Sequence, residues 1–397
     1  MSAPVTLRKT AETRHLAIAA ARYLALGWTQ RRIAVELHLN EPYVARLIAA
    51  AESWGYVSRL PTMLRHQINA EDWEAVQERY FRDLTFTPVL AGEVPAGIHF
   101  EALAVPGDYL TFLRGAADQI AHRLRHTGLL GTMWGRTVFL IAQHIQVLSD
   151  TLNRDLLRRI ECIPLCGDPI FLMNQRRLEY SASWLAATLQ KALAPNFRGS
   201  FPCLHGVPAY VSRAVRAAST GGRPAWRQLF EELPGYEMIF SSRSRLIAHV
   251  DSIITGAGIV VPGLETLEHA TGDLIEERLQ QEKDLTKEKL DQIIWGDIGG
   301  WLLEKPGLKP ADKKLVDDLN RGWTGATLEH LSWVAKAAVP GQRVGVILVA
   351  RGTPKAELIL EIVRRGLVNT LLIDEELARY LKTMVQPAGR PGPKPGR

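Results

Sequence analysis

Apolar positions near the start of the chain recur at helical spacing. In "LAIAAARYLAL", Leu16, Ala20, Tyr23 and Leu24 share one face of a helix expected over residues 7–26. Gly27 follows its last turn, where glycine commonly ends a helix. Thr29 stands at an N-cap position. Ile33, Ala34 and Leu37 then give a short second helix, residues 30–37, one apolar face. The pair His38-Leu39 breaks the pattern. Asn40 caps a third helix with Pro42 in its first turn, where a missing N–H does no harm. Val44, Leu47 and Ile48 point inward, Gly55 stops the helix, and "YVSRLP" reads as a short strand or exit. "NAEDWEAVQERYFRDL" comes next as a helix, a connector or a pairing element, with Asn69 as its cap and acidic residues in its first turn.

From about residue 95 the texture changes. "GLLGTMWGRTVFLIAQHIQVL" reads as strand, glycine-rich turn and helix. "ECIPLCG", "FPCLHG", "HVDSIITGAG", "RVGVILVARG" and "NTLLIDEELARYLK" repeat the alternation of a short apolar run with a turn. Strands alternating with helices predict an α/β fold, a mostly parallel sheet covered on both faces. "GLETLEHATGDLIEERLQQEKDLTKEKLDQII" is charge-rich and is expected to form a solvated helical flap or an interface. The closing "QPAGRPGPKPGR" is rich in Pro, Gly and Arg and is expected to be disordered. The pattern divides the chain into residues 1–62, a connector at 63–94, a large domain at 95–385 and a basic tail at 386–397.

A chain of 397 residues suits two or three domains. With 46% hydrophobic and 23% charged residues it has ample material for a core. No apolar run approaches the roughly 20 residues of a membrane span, and the opening "MSAPVTLRKTAETRH" lacks the apolar stretch of a secretory signal. Cys162, Cys166 and Cys203 make no disulfide framework and are read as reduced, buried thiols, which fits a cytoplasmic protein. No His or Cys pair lies near them at metal spacing, so no metal is expected. Net charge is +6, and its distribution is uneven. Arg8, Lys9, Arg14, Arg22, Arg31, Arg32, Arg46, Arg59 and Arg65 crowd the N-terminal segment against few acids.

Two short helices joined by a tight turn form a helix-turn-helix, whose second helix can enter the DNA major groove. Gln30 and Arg31 stand where phosphates would be met. Tyr43 and Arg46 lie one turn apart, opposite Val44 and Leu47, placed to reach base edges; arginine suits a bidentate contact to guanine. A small bundle for protein contacts has the same pattern, and the local arginine density favours DNA. In "GTMWGRT", residues 131–137, small residues let backbone N–H groups approach an anion. The following helix aims its positive end there, Thr137 offers a hydroxyl and Arg136 a charge. An ordinary strand-to-helix turn would use the same glycines.

"ARYLALGWTQRRIAVELHLNEPYVARLIAAAESWGYV" resembles the winged helix-turn-helix of SorC-type (SorC/DeoR) sugar-binding transcriptional regulators. Tyr23, Gly27, Thr29, Gln30, Ile33, Ala34, Leu37, Pro42, Val44, Arg46, Leu47, Gly55 and Val57 match that family's pattern. His38 replaces the glycine of the turn, Asn40-Glu41 replaces Ser-Arg, and Ala45 replaces a serine. The resemblance continues over most of residues 95–385. GTMWGRT matches the family's G-x-x-W-G-R-T loop, "TGAG" its v-G-I-G turn, and "WGDIGGWLLEKPG" its G-D-I-x-G segment. "LNRGWTGATLEHL" matches a further segment. "VILVARGTPKAELILEIVRRGLVNTLLIDEELARYL" matches the family's long closing segment, which opens v-A-G-G-x-x-K-A and ends D-E-x-T-A-x-x-L.

The resemblance implies a Rossmann-like effector domain related to sugar-phosphate isomerases. Its effector would meet Gly135, Arg136, Thr137, Gly256, Gly258, Asp297 and Lys355; DNA would meet Gln30, Arg31, Asn40, Tyr43 and Arg46. Trp134, Trp295 and Trp301 are expected as core or pocket wall, and Asp374 as the cap of the next helix. Cys166-Gly167-Asp168 stands where many members have an Arg-Gly-Gly motif, which would set a carboxylate beside an effector phosphate. The expected protein is a non-enzymatic, cytoplasmic regulator without a cofactor. Its partners would be a double-stranded DNA operator and a phosphorylated sugar or similar metabolite, and it would work as a homodimer or homotetramer. The alternatives are a sugar-phosphate isomerase- or deaminase-like enzyme, with Asp297 and Lys355 as acid/base groups, and a regulator that has lost its effector and acts through protein contacts.

Overall fold

The computed structural model describes residues 9–25, 28–57, 68, 71–72, 75–76, 85–124, 127–148, 160–170, 180–195, 197, 199, 202–217, 225–240, 246–263 and 270–385. The expected helix stop at Gly27, the cap at Asn69, the strand after Val57 and the tail at 386–397 lie outside the described residues.

Three helices open the chain: α1 (Ala11–Ala25), α2 (Gln30–Glu36) and α3 (Glu41–Ser53). Both predicted caps form. Thr29 Oγ1 accepts from the Arg32 N–H at 3.3 Å, and Asn40 Oδ1 accepts from the Tyr43 N–H at 2.9 Å. Between α2 and α3 the chain reverses at His38, whose φ of 53° makes it the one non-glycine residue with positive φ among the described residues. Its N–H bonds Val35 O at 3.2 Å and the Leu39 N–H bonds Ala34 O at 2.8 Å. That pair of bonds is a Schellman closure, which needs a left-handed residue at this point. Ile18, Ile33, Val44 and Leu47 are fully buried and join the three helices. Asp72 holds α1 from outside, accepting from Arg14 Nε at 3.0 Å and lying 2.9 Å from His15 Nε2.

The rest of the described chain builds on eight strands: β1 (Glu101–Val105), β2 (Leu129–Thr132), β3 (Glu161–Pro164), β4 (Ser252–Gly258), β5 (Ile294–Ile298), β6 (Trp301–Glu304), β7 (Gly345–Ala350) and β8 (Thr370–Asp374). Six run parallel in the order β1-β8-β7-β4-β2-β3, and the β5–β6 hairpin continues antiparallel from the end of β4. Alternation splits each strand between two cores. Leu103, Val105, Ile347, Val349 and Leu372 face one side, and Ala102, Ala104, Val346, Leu348, Leu371 and Ile373 the other. Helices α4 (Tyr109–Arg123), α5 (Arg136–Leu148) and α6 (Ala182–Leu193) cover the first face. On the second, α7 (Asp273–Gln281) contributes Leu274, and α8 (Pro310–Arg321) packs against the hairpin. Helices α9 (Leu328–Lys336), α10 (Ala356–Arg364) and α11 (Glu375–Val385) complete that second layer. Burial on both faces is why these strands read as near-continuous apolar runs.

Three expectations are corrected, and contacts are added to the expected connector. "FPCLHG" forms no strand; its described residues make a loop in which the Leu204 N–H is held by Ser183 Oγ at 2.8 Å rather than by a neighbouring strand. The charge-rich segment is not a solvated flap. Within α7, Glu277 and Arg278 are fully buried, because the helix packs against β4 and β5. Cys203 is exposed, whereas Cys162 and Cys166 are buried. The end of the expected connector packs onto the large domain. Thr85 bridges to Leu103, the Phe86 N–H bonds Ala102 O at 2.7 Å, and Arg364 Nε donates to Glu93 Oε2 at 2.7 Å.

Candidate functional site

The chain leaves β2 toward β3 on one side and leaves β4 toward β7 on the other. The crevice beyond the carboxyl ends of β2 and β4 is therefore the sheet's topological switch point, where open α/β sheets bind ligands. A pocket lies there. Gly135, Arg136, Thr137, Gly256, Gly258, Asp297 and Lys355 all line it, so four segments far apart in sequence meet as one group.

Each segment is held by local geometry. After β2 the turn is braced by the Met133 N–H on Ile254 O at 3.3 Å and the Trp134 N–H on Cys166 Sγ at 3.4 Å. The first intrahelical bond of α5 is from the Phe139 N–H to Gly135 O at 2.9 Å. The N–H groups of Arg136, Thr137 and Val138 are therefore the free donors of its first turn, at the positive end of the helix. Gly299 and Gly300, at φ 54° and 93°, form the two-residue turn between β5 and β6; a tight hairpin of this kind demands positive φ at both positions. The Gly300 N–H donates to Asp297 Oδ1 at 2.7 Å and fixes that carboxylate. A Cβ at Gly258 would come within 2.3 Å of Asp297 Oδ2, so only glycine lets β4 approach the acid.

Burial pushes the Asp297 carboxyl up to about 6; the Gly300 N–H and the charges of Arg278 and Lys355 resist the shift. Burial likewise pulls the Lys355 ammonium below the usual lysine range, which Asp297 opposes and Arg136 reinforces. Asp273, which the sequence pattern did not single out, lines the pocket with Gly272. Its Oδ2 accepts from Trp134 Nε1 at 3.2 Å and lies 3.8 Å from Arg136 Nε. Two acids thus face two bases across the pocket. Trp134 is pocket wall as expected, while Trp295 and Trp301 pack at the edge of the second core. The carboxylate of Asp168 does not stand in the pocket, contrary to expectation. It is buried 3.3 Å from His205 Nδ1, and burial raises its pKa.

The helix-turn-helix residues group separately. Arg31 and Arg46 are exposed, and Gln30 and Tyr43 are half-buried. The Arg46 guanidinium lies 5.2 Å from the Tyr43 ring centroid. Asn40 uses its carbonyl oxygen as a cap, which leaves its amide nitrogen for other partners. Among the described residues, no helix is long and apolar enough to cross a membrane, and no group of His, Cys, Asp or Glu could hold a metal ion.

No protein-family model matches the sequence, and no curated protein matches it. Among solved structures it is similar to the full-length sorbitol operon regulator SorC from Klebsiella pneumoniae. The identity is 17%, the alignment covers 94% of this chain and 100% of that one, and the TM-score is 0.52. A DeoR family transcriptional regulator from Listeria monocytogenes aligns at 16% identity over 76% of this chain and 98% of that one, with a TM-score of 0.45. At such identities the likeness to SorC establishes fold alone: over nearly its whole length, the chain folds as that full-length regulator does.

Proposed function

We propose that the chain is a DNA-binding transcriptional regulator of the SorC type, whose operator affinity is set by a phosphorylated sugar or similar metabolite. The observation that carries the reading is the convergence of Gly135, Arg136, Thr137, Gly256, Gly258, Asp297 and Lys355 on one pocket at the switch point, in a chain that opens with a helix-turn-helix. The effector's phosphate takes the first N–H groups of α5, the Thr137 hydroxyl and the Lys355 ammonium; its hydroxyls turn toward Asp297. On the DNA side, Tyr43 and Arg46 face base edges, and Gln30, Arg31 and Asn40 face phosphates. A two-fold operator calls for at least a dimer, assembled through the large domain. The effector acts by binding more tightly to one of two states of the chain.

Thermal unfolding across a panel of sugar phosphates tests the pocket, since a ligand of the folded state raises the melting temperature. Mobility shifts with and without the best ligand test the coupling. A panel that moves neither sinks the effector reading. One observation favours a second reading: Asp297 and Lys355 both depart from their ordinary pKa ranges in one pocket, as an acid/base pair of an isomerase- or deaminase-like enzyme does. Turnover of the same panel by the purified protein decides for it, and its absence decides against.

A further inference from the structure

Two partly buried arginines of the large domain are committed to acids. Arg123 donates from Nε and Nη2 to the two oxygens of Glu101 at 3.1 and 2.7 Å, and Arg213 binds Glu282 and Asp284 at 2.8 and 2.5 Å. The carboxyl-end rim of the sheet differs. Arg136 and Arg351 meet acids only at 3.8 Å (Asp273) and 3.6 Å (Asp374), beyond hydrogen-bond reach. Lys355 has no ion pair within 4 Å, and the Tyr109 hydroxyl has no hydrogen bond, among the described residues. Four donor groups, three of them cationic, therefore keep hydrogen-bonding capacity along one edge, Arg136 and Arg351 each in a loose ion pair.

Their positions are ordered by the sheet. Arg136 and Lys355 line the pocket beyond β2 and β4. Arg351 follows β7 directly, and its guanidinium lies 5.0 Å from the ring centroid of Tyr109, which opens α4 after β1. Burial holds the Tyr109 hydroxyl above its ordinary pKa, and the charges of Arg136 and Arg351 oppose that shift, so both cations stand near the hydroxyl. Cations thus continue from the pocket across β7 toward β8 and β1. The step from the β2–β4 crevice to β7–β8 is two strand spacings, about 10 Å. Arg351 also stands where the motif matched by "VARGTPKA" has glycine.

We propose that Arg351 and the Tyr109 hydroxyl, with Arg136 between them and the pocket, form a second anion subsite. The ligand class is then a small phosphorylated metabolite with an anionic group at each end, a sugar bisphosphate or a phosphorylated sugar acid. One end sits at α5 and Lys355, and the other reaches Arg351 and Tyr109. This rests on the effector reading above and narrows it. Two groups on one ligand gain from being joined, since the second contact is made at high effective concentration.

The test is calorimetric titration of the full chain with hexose and pentose monophosphates and their matching bisphosphates. In the wild type, at least one bisphosphate binds ten-fold or more tightly than its monophosphate. Arg351→Gln brings that ratio to within two-fold, Tyr109→Phe lowers it by a smaller factor, and Arg351→Lys retains part of it. If monophosphates bind and no bisphosphate is preferred, or if Arg351→Gln leaves the ratio unchanged, the second subsite is overturned while the effector reading stands. If no sugar phosphate binds, both fall.

Discussion

In the helix-turn-helix, the side chains offered for recognition come from one short run of sequence and stand outside three small helices. In the crevice, Arg136, Gly258, Asp297 and Lys355 come from separate segments and meet only when the sheet closes. The first region needs helix periodicity, two caps and a reversal at His38. Its recognition chemistry is that of solvated groups on a rigid support. The second needs long-range strand pairing, and burial then changes the chemistry of the groups it gathers, as Asp297 and Lys355 show. The two regions should therefore fail independently under mutation and respond differently to pH.

The largest separation is expected at Lys355. On the effector reading, Lys355→Ala removes a charged partner of the phosphate, a loss of about 1.5–3 kcal/mol for a hydrogen bond to a charged group. DNA affinity without effector should stay as in the wild type, because the helices proposed to meet DNA lie elsewhere. Titrating the effector against DNA affinity for both proteins checks this. An equal effector response in the two proteins would put Lys355 outside the ligand's reach.

Asp297 separates the regions by pH. Burial raises its folded pKa to about 6, above the ordinary carboxylate range near 4. The folded state therefore favours the neutral acid. Its penalty is absent below the unfolded pKa, grows as pH rises between roughly 4 and 6, and is complete above that window. Asp297→Asn keeps an acceptor for the Gly300 N–H and removes the charge. It should stabilise the fold at pH 8 relative to pH 4 by on the order of 2 kcal/mol. Urea unfolding of both proteins at the two pH values measures it, and a difference that does not vary with pH would refute the buried-acid account. Arg46→Ala works on the other region. It should cost about 1–3 kcal/mol of operator discrimination with unfolding and effector binding unaltered. Footprinting that shows the same selectivity would remove Arg46 from the reading face.

The contrast also governs what could be read before folding. Caps, periodicity and the turn act over a few residues, so the caps at Thr29 and Asn40 and the break at His38 were visible in sequence, and all three appear. The parallel sheet was visible in its apolar runs, while the short EALAV strand and the β5–β6 hairpin were not singled out. Within the pocket, the glycine turn and Lys355 could be named from motifs. Asp273 could not, because its segment looks like a solvated helix, and only tertiary packing reveals that Arg278 and Glu277 are buried while Asp273 turns to the crevice. Asp168 failed for the same reason in reverse: the sequence put it beside the ligand, and the chain buries it against His205. Local hydrogen bonding is legible where one segment suffices, and charge placement is not where several must meet.

The smallest expected effect lies where the two regions touch. Arg32 Nη2 of α2 is 3.8 Å from Glu375 Oε1 at the start of α11, and the same guanidinium lies 3.8 Å from the Trp28 ring centroid. The neighbouring Asp374 takes the Gly352 N–H at 3.4 Å and the Leu377 N–H at 3.1 Å. One acid of this adjacent pair thus holds the loop that leads to Lys355, and the other meets the helix-turn-helix. Both partners of the Arg32–Glu375 pair are partly exposed, so the pair contributes less than about 1 kcal/mol. Its interest is competition, since Arg32 beside Arg31 is placed to meet a phosphate. Glu375→Gln should release Arg32, strengthening binding to any duplex by about two- to fivefold and steepening the salt dependence by up to about one unit. Arg32→Gln should weaken binding and cancel the effect of Glu375→Gln in the double variant. Mobility shifts over a salt series on cognate and scrambled duplexes read all three. If Glu375→Gln changes neither affinity nor slope, the pair does not compete with DNA, and any coupling between the two regions runs through other contacts.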